Sequence, residues 1–212
     1  FVVITFKEPV KREKFFEKGY LSHMKSAVHY AATHPKIRFT MIFSLIVSTI
    51  TFSTYFLYQI YFENLGVPLK YFGLAYALLF ASSALGAKLC HWIEKHTGEK
   101  RLILAITGFL ALLFFCLTLS TKFGIVLAAL TWFISGIRWA LVPDMINQCT
   151  HSHRRATVLS FNNMLSTLGF TLASPLIGVV VDLWSVFTAF FIMAVILTAY
   201  LLYLFISLRV FA

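Results

Sequence analysis

Arg138 stands in the stretch LTWFISGIRWALVPDMINQC with fifteen uncharged residues, 123–137, directly before it. A guanidinium in such a run has two uses. It can run along the surface of a membrane span to reach water, or it can turn into a bundle to hold an anion or stabilise one conformation. Helical spacing gives it companions: Gly124, Ala128, Thr131, Ser135 and Arg138 step by 4, 3, 4 and 3, which keeps them on one face. Ser44, Ser48, Thr51, Tyr55 and Gln59 form a second such stripe, and Ser160, Asn163, Thr167, Thr171, Ser174 and Gly178 a third. Stripes of this kind either line a polar cavity or pack helices, with hydroxyls bonding their own backbone. Asp144 is a poor partner for Arg138, since six residues carry it about 240° round the helix with Pro143 between them.

Other chemistry finds less support. Cys149, His151 and His153 make a C-x-H-x-H cluster, but three ligands at that spacing without supporting carboxylates do not make a metal site, and no metal is expected. All seven histidines fall in loops or at span ends. There is no H-E-x-x-H, P-loop or G-x-S-x-G pattern, so the sequence points to neither an enzyme nor a cofactor.

The elements that position these stripes follow from composition. The chain of 212 residues is 59% hydrophobic and only 12% charged, against about 25% in soluble domains. Uncharged runs at 39–62, 71–87, 102–121, 123–137, 156–181 and 183–208 reach, or nearly reach, the ~20 residues that a span needs. The spacing predicts six transmembrane helices over residues 39–212 and no strands. Residues 1–38 form a charged loop, with an amphipathic helix in YLSHMKSAVHYAATHP that lies on the membrane or packs on protein. The chain opens on Phe1 in FVVITF, which reads as the tail of a truncated helix, so a longer chain is expected. Fifteen basic residues fall on the side of the termini and the 88–101 and 147–155 turns, and only Lys70 and Lys122 on the other. That bias puts both ends in the cytoplasm and accounts for the net charge of +10 without nucleic acid. Tyr61, Tyr71, Trp92 and Trp184 are read as interfacial anchors, and Cys90, Cys116 and Cys149 as unpaired thiols.

The six spans divide into two triplets, each polar-striped, then small or polar, then greasy. An odd-numbered repeat must insert its second copy upside down, and inverted repeats around a polar site mark transporters. The stretch from GIRWALVPDMINQC through THSHRRATVLSFNNMLSTLGFTLASPLIGVVVD resembles the tenth and eleventh helices of major facilitator superfamily proteins. YFENLGVPLKYFGLAYALLFASSALGAKL resembles their seventh-to-eighth turn and eighth helix. The resemblance implies the C-terminal half of a twelve-helix protein, as two inverted three-helix repeats whose first and fourth helices line a central cavity. The three polar stripes supply the cavity candidates Arg138, Ser48, Thr51, Tyr55, Gln59, Thr131, Ser135, Asn163 and Thr167, and the resemblance agrees for those of the first and fourth spans. WIEKHTGEKR is similar to the family's charged loop motif, with Glu94 and Lys95 standing for its Asp and first Arg, and Gly98, Lys100 and Arg101 for the rest. Cys90 replaces the motif's leading glycine, and His96–Thr97 is one residue too long. Glu94, Lys95, Arg101, Asp144, Arg154 and Arg155 are the gating candidates, Asp144 pairing with one of the three arginines.

These readings together predict a secondary transporter in a bacterial inner membrane, moving a small drug-like or metabolite solute by alternating access, with protons as the driving ion. Its partners would be the solute, the bilayer and an N-terminal six-helix half. A six-helix channel or a non-transporting membrane protein is the alternative. No histidine or carboxylate lies deep in these spans, so a titrating group is expected in the other half.

Overall fold

Lipid offers a spanning backbone no hydrogen-bond partners, so each crossing must close its own bonds, and a helix does so within one segment. The computed structural model describes residues 28–30, 33–119 and 123–210, and among them places six long helices and no strand. They are α1 (Pro35–Asn64), α2 (Phe72–Thr97), α3 (Glu99–Leu117), α4 (Gly124–Cys149), α5 (Arg155–Leu183) and α6 (Val186–Val210). All six are long and apolar enough to cross a membrane. The protein is a multi-pass, all-α membrane protein.

Helix ends lie beyond the apolar runs. Pro35 at the first helical position starts α1 four residues before the uncharged stretch, where its missing N–H costs nothing and its fixed φ suits a helix. The 30 residues of α1 span about 45 Å, more than a ~30 Å hydrocarbon core, so the helix tilts or protrudes. Lys88 and Lys95, expected in a turn, belong to α2. A single residue, Gly98, separates α2 from α3, with its N–H donating to the Glu94 carbonyl at 2.8 Å. Its φ of 79° is open to glycine and costly for other residues. The amphipathic helix expected before α1 lies mostly outside the described residues. Of these, 28–30 are helical, and Tyr30 is buried with its hydroxyl donating to the Cys149 carbonyl at 2.9 Å.

The broadest helix–helix contacts are α2 with α4, α3 with α6, and α1 with α5; α4 also packs on α3 and α1. Small residues decide the first. A Cβ on Gly136 would lie 2.7 Å from the Ser83 carbonyl carbon, and one on Gly86 3.0 Å from that of Phe133. Each glycine thus seats the other helix's backbone, and van der Waals contact does what water cannot do in lipid. The α3–α6 seam is aliphatic and aromatic, with Phe114 and Phe190 rings 6.0 Å apart, while Phe109, Leu112 and Val195 are exposed. At the α1–α5 seam the hydroxyls of Ser44 and Ser166 lie 3.3 Å apart. Tyr61, expected at an interface, is fully buried against Phe187 and Phe190. Trp92, Trp184 and Tyr71 are exposed at helix ends.

Gly136→Leu should destabilise the bundle by more than the ~1–3 kcal/mol of an ordinary overpacked side chain, because a backbone carbonyl cannot turn aside. The midpoint of thermal unfolding in detergent measures it. Gly73→Ala, with nothing within 4 Å of its Cβ position, should leave that midpoint unchanged.

Candidate functional site

Arg138 lies two residues after Gly136, about 200° round α4 from the α2 contact, and this turns it toward α1. The side chain is 3% exposed. Its Nη1 donates to Ser48 Oγ at 2.6 Å, and the guanidinium carbon lies 4.8 Å from the centroid of the Trp139 ring. Nε and Nη2 are buried and have no partner among the described residues. Asp144 accepts from Gln148 Nε2 at 2.9 Å instead of meeting Arg138. The guanidinium therefore faces inward, and a neutral hydroxyl is its one hydrogen-bond acceptor. A lone charge at membrane depth is costly, and such a residue marks a functional site in general.

A cavity of about 220 Å³ adjoins it, lined also by Ser44, Ser48, Asn162, Asn163, Ser166 and Thr167. Asn162 is 4% exposed, and its amide oxygen has no partner. A second cavity of about 550 Å³ is walled by Tyr55, Phe56, Phe80, Trp132, Trp139 and Phe170, with Thr51, Ser83 and Ser135 as its polar points. The rings support one another: Phe80 and Trp132 meet edge to face at 4.8 Å, and Phe56 stacks on Phe170 at 5.9 Å. Phe52 and Trp139 line both cavities, so the two adjoin.

The nine cavity candidates divide. Arg138, Ser48, Asn163 and Thr167 line the smaller cavity, and Thr51, Tyr55 and Ser135 the larger. Thr51 and Ser135 give their hydroxyl protons to carbonyls of their own helices, at Val47 and Thr131. Thr131 lines neither cavity. Its hydroxyl meets that of the fully buried Tyr58, joining α4 to α1. Gln59 is exposed and lines neither cavity. The polar faces of α1 and α4 close on each other, while Asn163, Thr167 and Thr171 of α5 are exposed. Spacing gave no signal for Asn162, which follows a different face from Asn163. Tyr55, Tyr58, Trp132 and Phe170 beside polar residues suit an organic solute on sequence grounds. All but Tyr58 line the larger cavity, and Phe56, Phe80 and Trp139 gave no signal because rings are equally at home against lipid.

At the end of the bundle bearing the α2–α3 and α4–α5 turns, the single ion pair among the described residues is Lys36 with Glu99, at 2.8 Å. It ties the start of α1 to the start of α3. No described ion pair joins Asp144 to Arg101, Arg154 or Arg155. Arg154 lies over the Tyr30 ring at 5.5 Å, and Arg155 Nε donates to the Thr150 carbonyl at 3.0 Å. Glu94, half-buried, is within Coulombic range of Asp144, while Lys95 and Arg101 are exposed. Glu99 is the carboxylate that the motif comparison passed over, and no spacing rule links it to a lysine 63 residues away. The Cys149 and His151 cluster is incomplete here, since the His153 side chain falls outside the described residues.

Thr131→Val should cost about 0.6 kcal/mol, and at most ~1.7, the range for interhelical hydrogen bonds in membranes. A thermal melt in detergent measures it, and solute binding should be unaffected.

The chain was compared with known families, curated proteins and solved structures. Residues 40–211 match the model of the Major Facilitator Superfamily. No match was found among curated proteins or solved structures. With six membrane-length helices and a match that runs from α1 into α6, the chain belongs to the Major Facilitator Superfamily.

Proposed function

We propose that this chain is the C-terminal six-helix half of a secondary transporter, which moves a small organic solute across a bacterial inner membrane by alternating access. The observation that carries this reading is the exposed polar stripe of α5. Asn163, Thr167 and Thr171 lie in the middle of a spanning helix and face outward from the bundle. Thr171 donates to the Thr167 carbonyl of its own helix, but lipid is a poor neighbour for the Asn163 amide and the Thr167 hydroxyl. A water-filled path shared with another six-helix half suits them, and Asn163 and Thr167 line the cavity that holds Arg138.

The inverted repeat is supported by the pattern of helix contacts. Exchanging α1 with α4, α2 with α5 and α3 with α6 turns the α2–α4 pair into α5–α1. The same exchange turns α3–α4 into α6–α1 and α2–α3 into α5–α6, and all of these pairs are in contact. The basic bias of the turns supports cytoplasmic ends. Protons are the proposed driving ion. Neither cavity is lined by a carboxylate or histidine, so the titrating group belongs to the other half. Lys36–Glu99 and the Glu94–Asp144 pair of carboxylates are the proposed gate, with Arg101, Arg154 and Arg155 as the cations that Asp144 meets in another conformation.

Transport by the full-length protein in proteoliposomes tests this. Asn163→Leu should lower the rate about tenfold, the worth of one hydrogen bond, with normal membrane insertion. Gln59→Leu should leave it within about twofold. Equal rates for Asn163→Leu and wild type would return the stripe to helix packing. A protonophore should abolish accumulation; accumulation that survives it assigns coupling to another ion. A cysteine at Lys70 should react with an impermeant maleimide only from outside, and one at Lys95 only from inside. The opposite pattern would invert the proposed topology.

A further inference from the structure

We propose that the two adjoining cavities form one site for an aromatic monoanion, its carboxylate on Arg138 and its ring among Tyr55, Phe80 and Trp132. This deepens the transport reading and rests on it for the route by which a solute arrives. The first ground is the geometry of the guanidinium. Nη1, on the Cδ side of the group, is committed to Ser48. The Nε and Nη2 donors form the opposite, lateral edge, and both are buried without a partner among the described residues. Two parallel N–H groups on one edge match the two oxygens of a carboxylate. Ser48 and the Trp139 ring hold the fork in place before any solute arrives. A fork held in advance loses less freedom on binding.

The second ground is charge balance. Arg138 is the one charged residue lining either cavity, so one net negative charge neutralises the site. An ammonium solute would meet repulsion and no counter-ion. Asn162, with its unpartnered amide oxygen on the same wall, favours an N–H or O–H and disfavours a second carboxylate.

The third ground is shape. The small cavity exceeds the ~30 Å³ that a water molecule occupies in the liquid, and at about 220 Å³ it takes an anionic group with a few attached atoms. It has no room for a drug-sized body. The larger cavity does, at about 550 Å³, within the usual range for such sites. Its walls carry seven aromatic side chains, and Trp139 serves both parts, lying against the guanidinium and lining the larger cavity. Flat rings recognise flat rings through offset and edge contacts. The same two helices fix both ends, with Ser48 and Tyr55 on α1 and Arg138 and Trp132 on α4.

The probes are 2-naphthoate, 2-naphthylmethanol and 2-naphthylmethylammonium, which share a ring and differ in charge. Equilibrium binding of each to the full-length protein in nanodiscs should give at least about tenfold preference for the acid over the alcohol, and weakest binding for the amine. Arg138→Gln should weaken acid binding at least about tenfold more than alcohol binding and so remove that preference, and Arg138→Lys should keep part of it. Phe80→Ala should weaken acid and alcohol by the same factor. Equal affinity of wild type for acid and alcohol would overturn the inference, as it would if a carboxylate elsewhere in the protein already occupied the fork. An undiminished preference in Arg138→Gln, or binding of none of the three, would overturn it too. Counterflow of labelled 2-naphthoate in proteoliposomes separates the two readings. Acid-selective binding without flux keeps the site and sinks transport; flux of neutral or cationic solutes without acid preference keeps transport and sinks the site.

Discussion

The crossing of α2 and α4 at Gly86 and Gly136 governs much of what lies around it, because two backbones in contact leave little freedom of rotation. Ser83 and Phe133 present carbonyls where side chains would otherwise be. With Gly136 pinned against α2, the helical period carries Arg138 to the far side of α4, facing Ser48. The same period puts Thr131 against Tyr58 and Ser135 at the edge of the aromatic cavity. In water a hydrophobic stripe would orient a helix like α4. In lipid that force between helices is absent, and contact geometry takes its place.

Polarity in the bundle is plentiful but mostly spent. Thr40, Thr51, Ser53, Thr107, Ser135 and Thr198 all return their hydroxyl protons to carbonyls one turn back in their own helices. Such bonds satisfy the group without engaging anything across the bundle. Buried groups without a partner among the described residues occur on six side chains; Arg138 and Asn162 line the smaller cavity, while Tyr61, Asn147, Thr150 and Tyr200 line neither cavity. Counting hydroxyls would spread a site over three helices. Subtracting the committed ones concentrates it around one guanidinium.

This separates what the sequence displays from what it conceals. Six spans are legible because bilayer thickness imposes a length filter that a soluble core does not, and the match to the Major Facilitator Superfamily covers those spans. The direction of Arg138 is legible because 3.6-residue periodicity survives in lipid. Helix ends are less so: α1 begins at Pro35 and α2 runs to Thr97, since helices continue through the headgroup region where charge is tolerated. Pair partners are hidden entirely. Nothing in the spacing of Tyr58 or Lys36 announces Thr131 or Glu99, because those contacts depend on how far helices tilt and turn. The aromatic cavity is half legible: Tyr55, Trp132 and Phe170 stand beside polar residues, whereas Phe56 and Phe80 are exposed like any lipid-facing ring, and only their place around one cavity distinguishes them.

The two longest seams beside the site differ in kind, and the difference bears on how such a bundle moves. Between α2 and α4 the contact is backbone on backbone, so sliding either helix drives a carbonyl into a neighbouring Cα. Between α1 and α5 it is made by side chains. Leu45 and Thr49 cover Gly169, and Ser44 meets Ser166 across 3.3 Å, the long end of a hydroxyl bond. The smaller cavity is lined by residues from both sides of that seam, among them Ser44, Ser48, Asn162 and Ser166. Rotamer changes in Leu45 and Thr49 absorb a shift of an ångström at modest cost, whereas a backbone contact cannot. The α2–α4 contact therefore resists sliding more than the α1–α5 seam does.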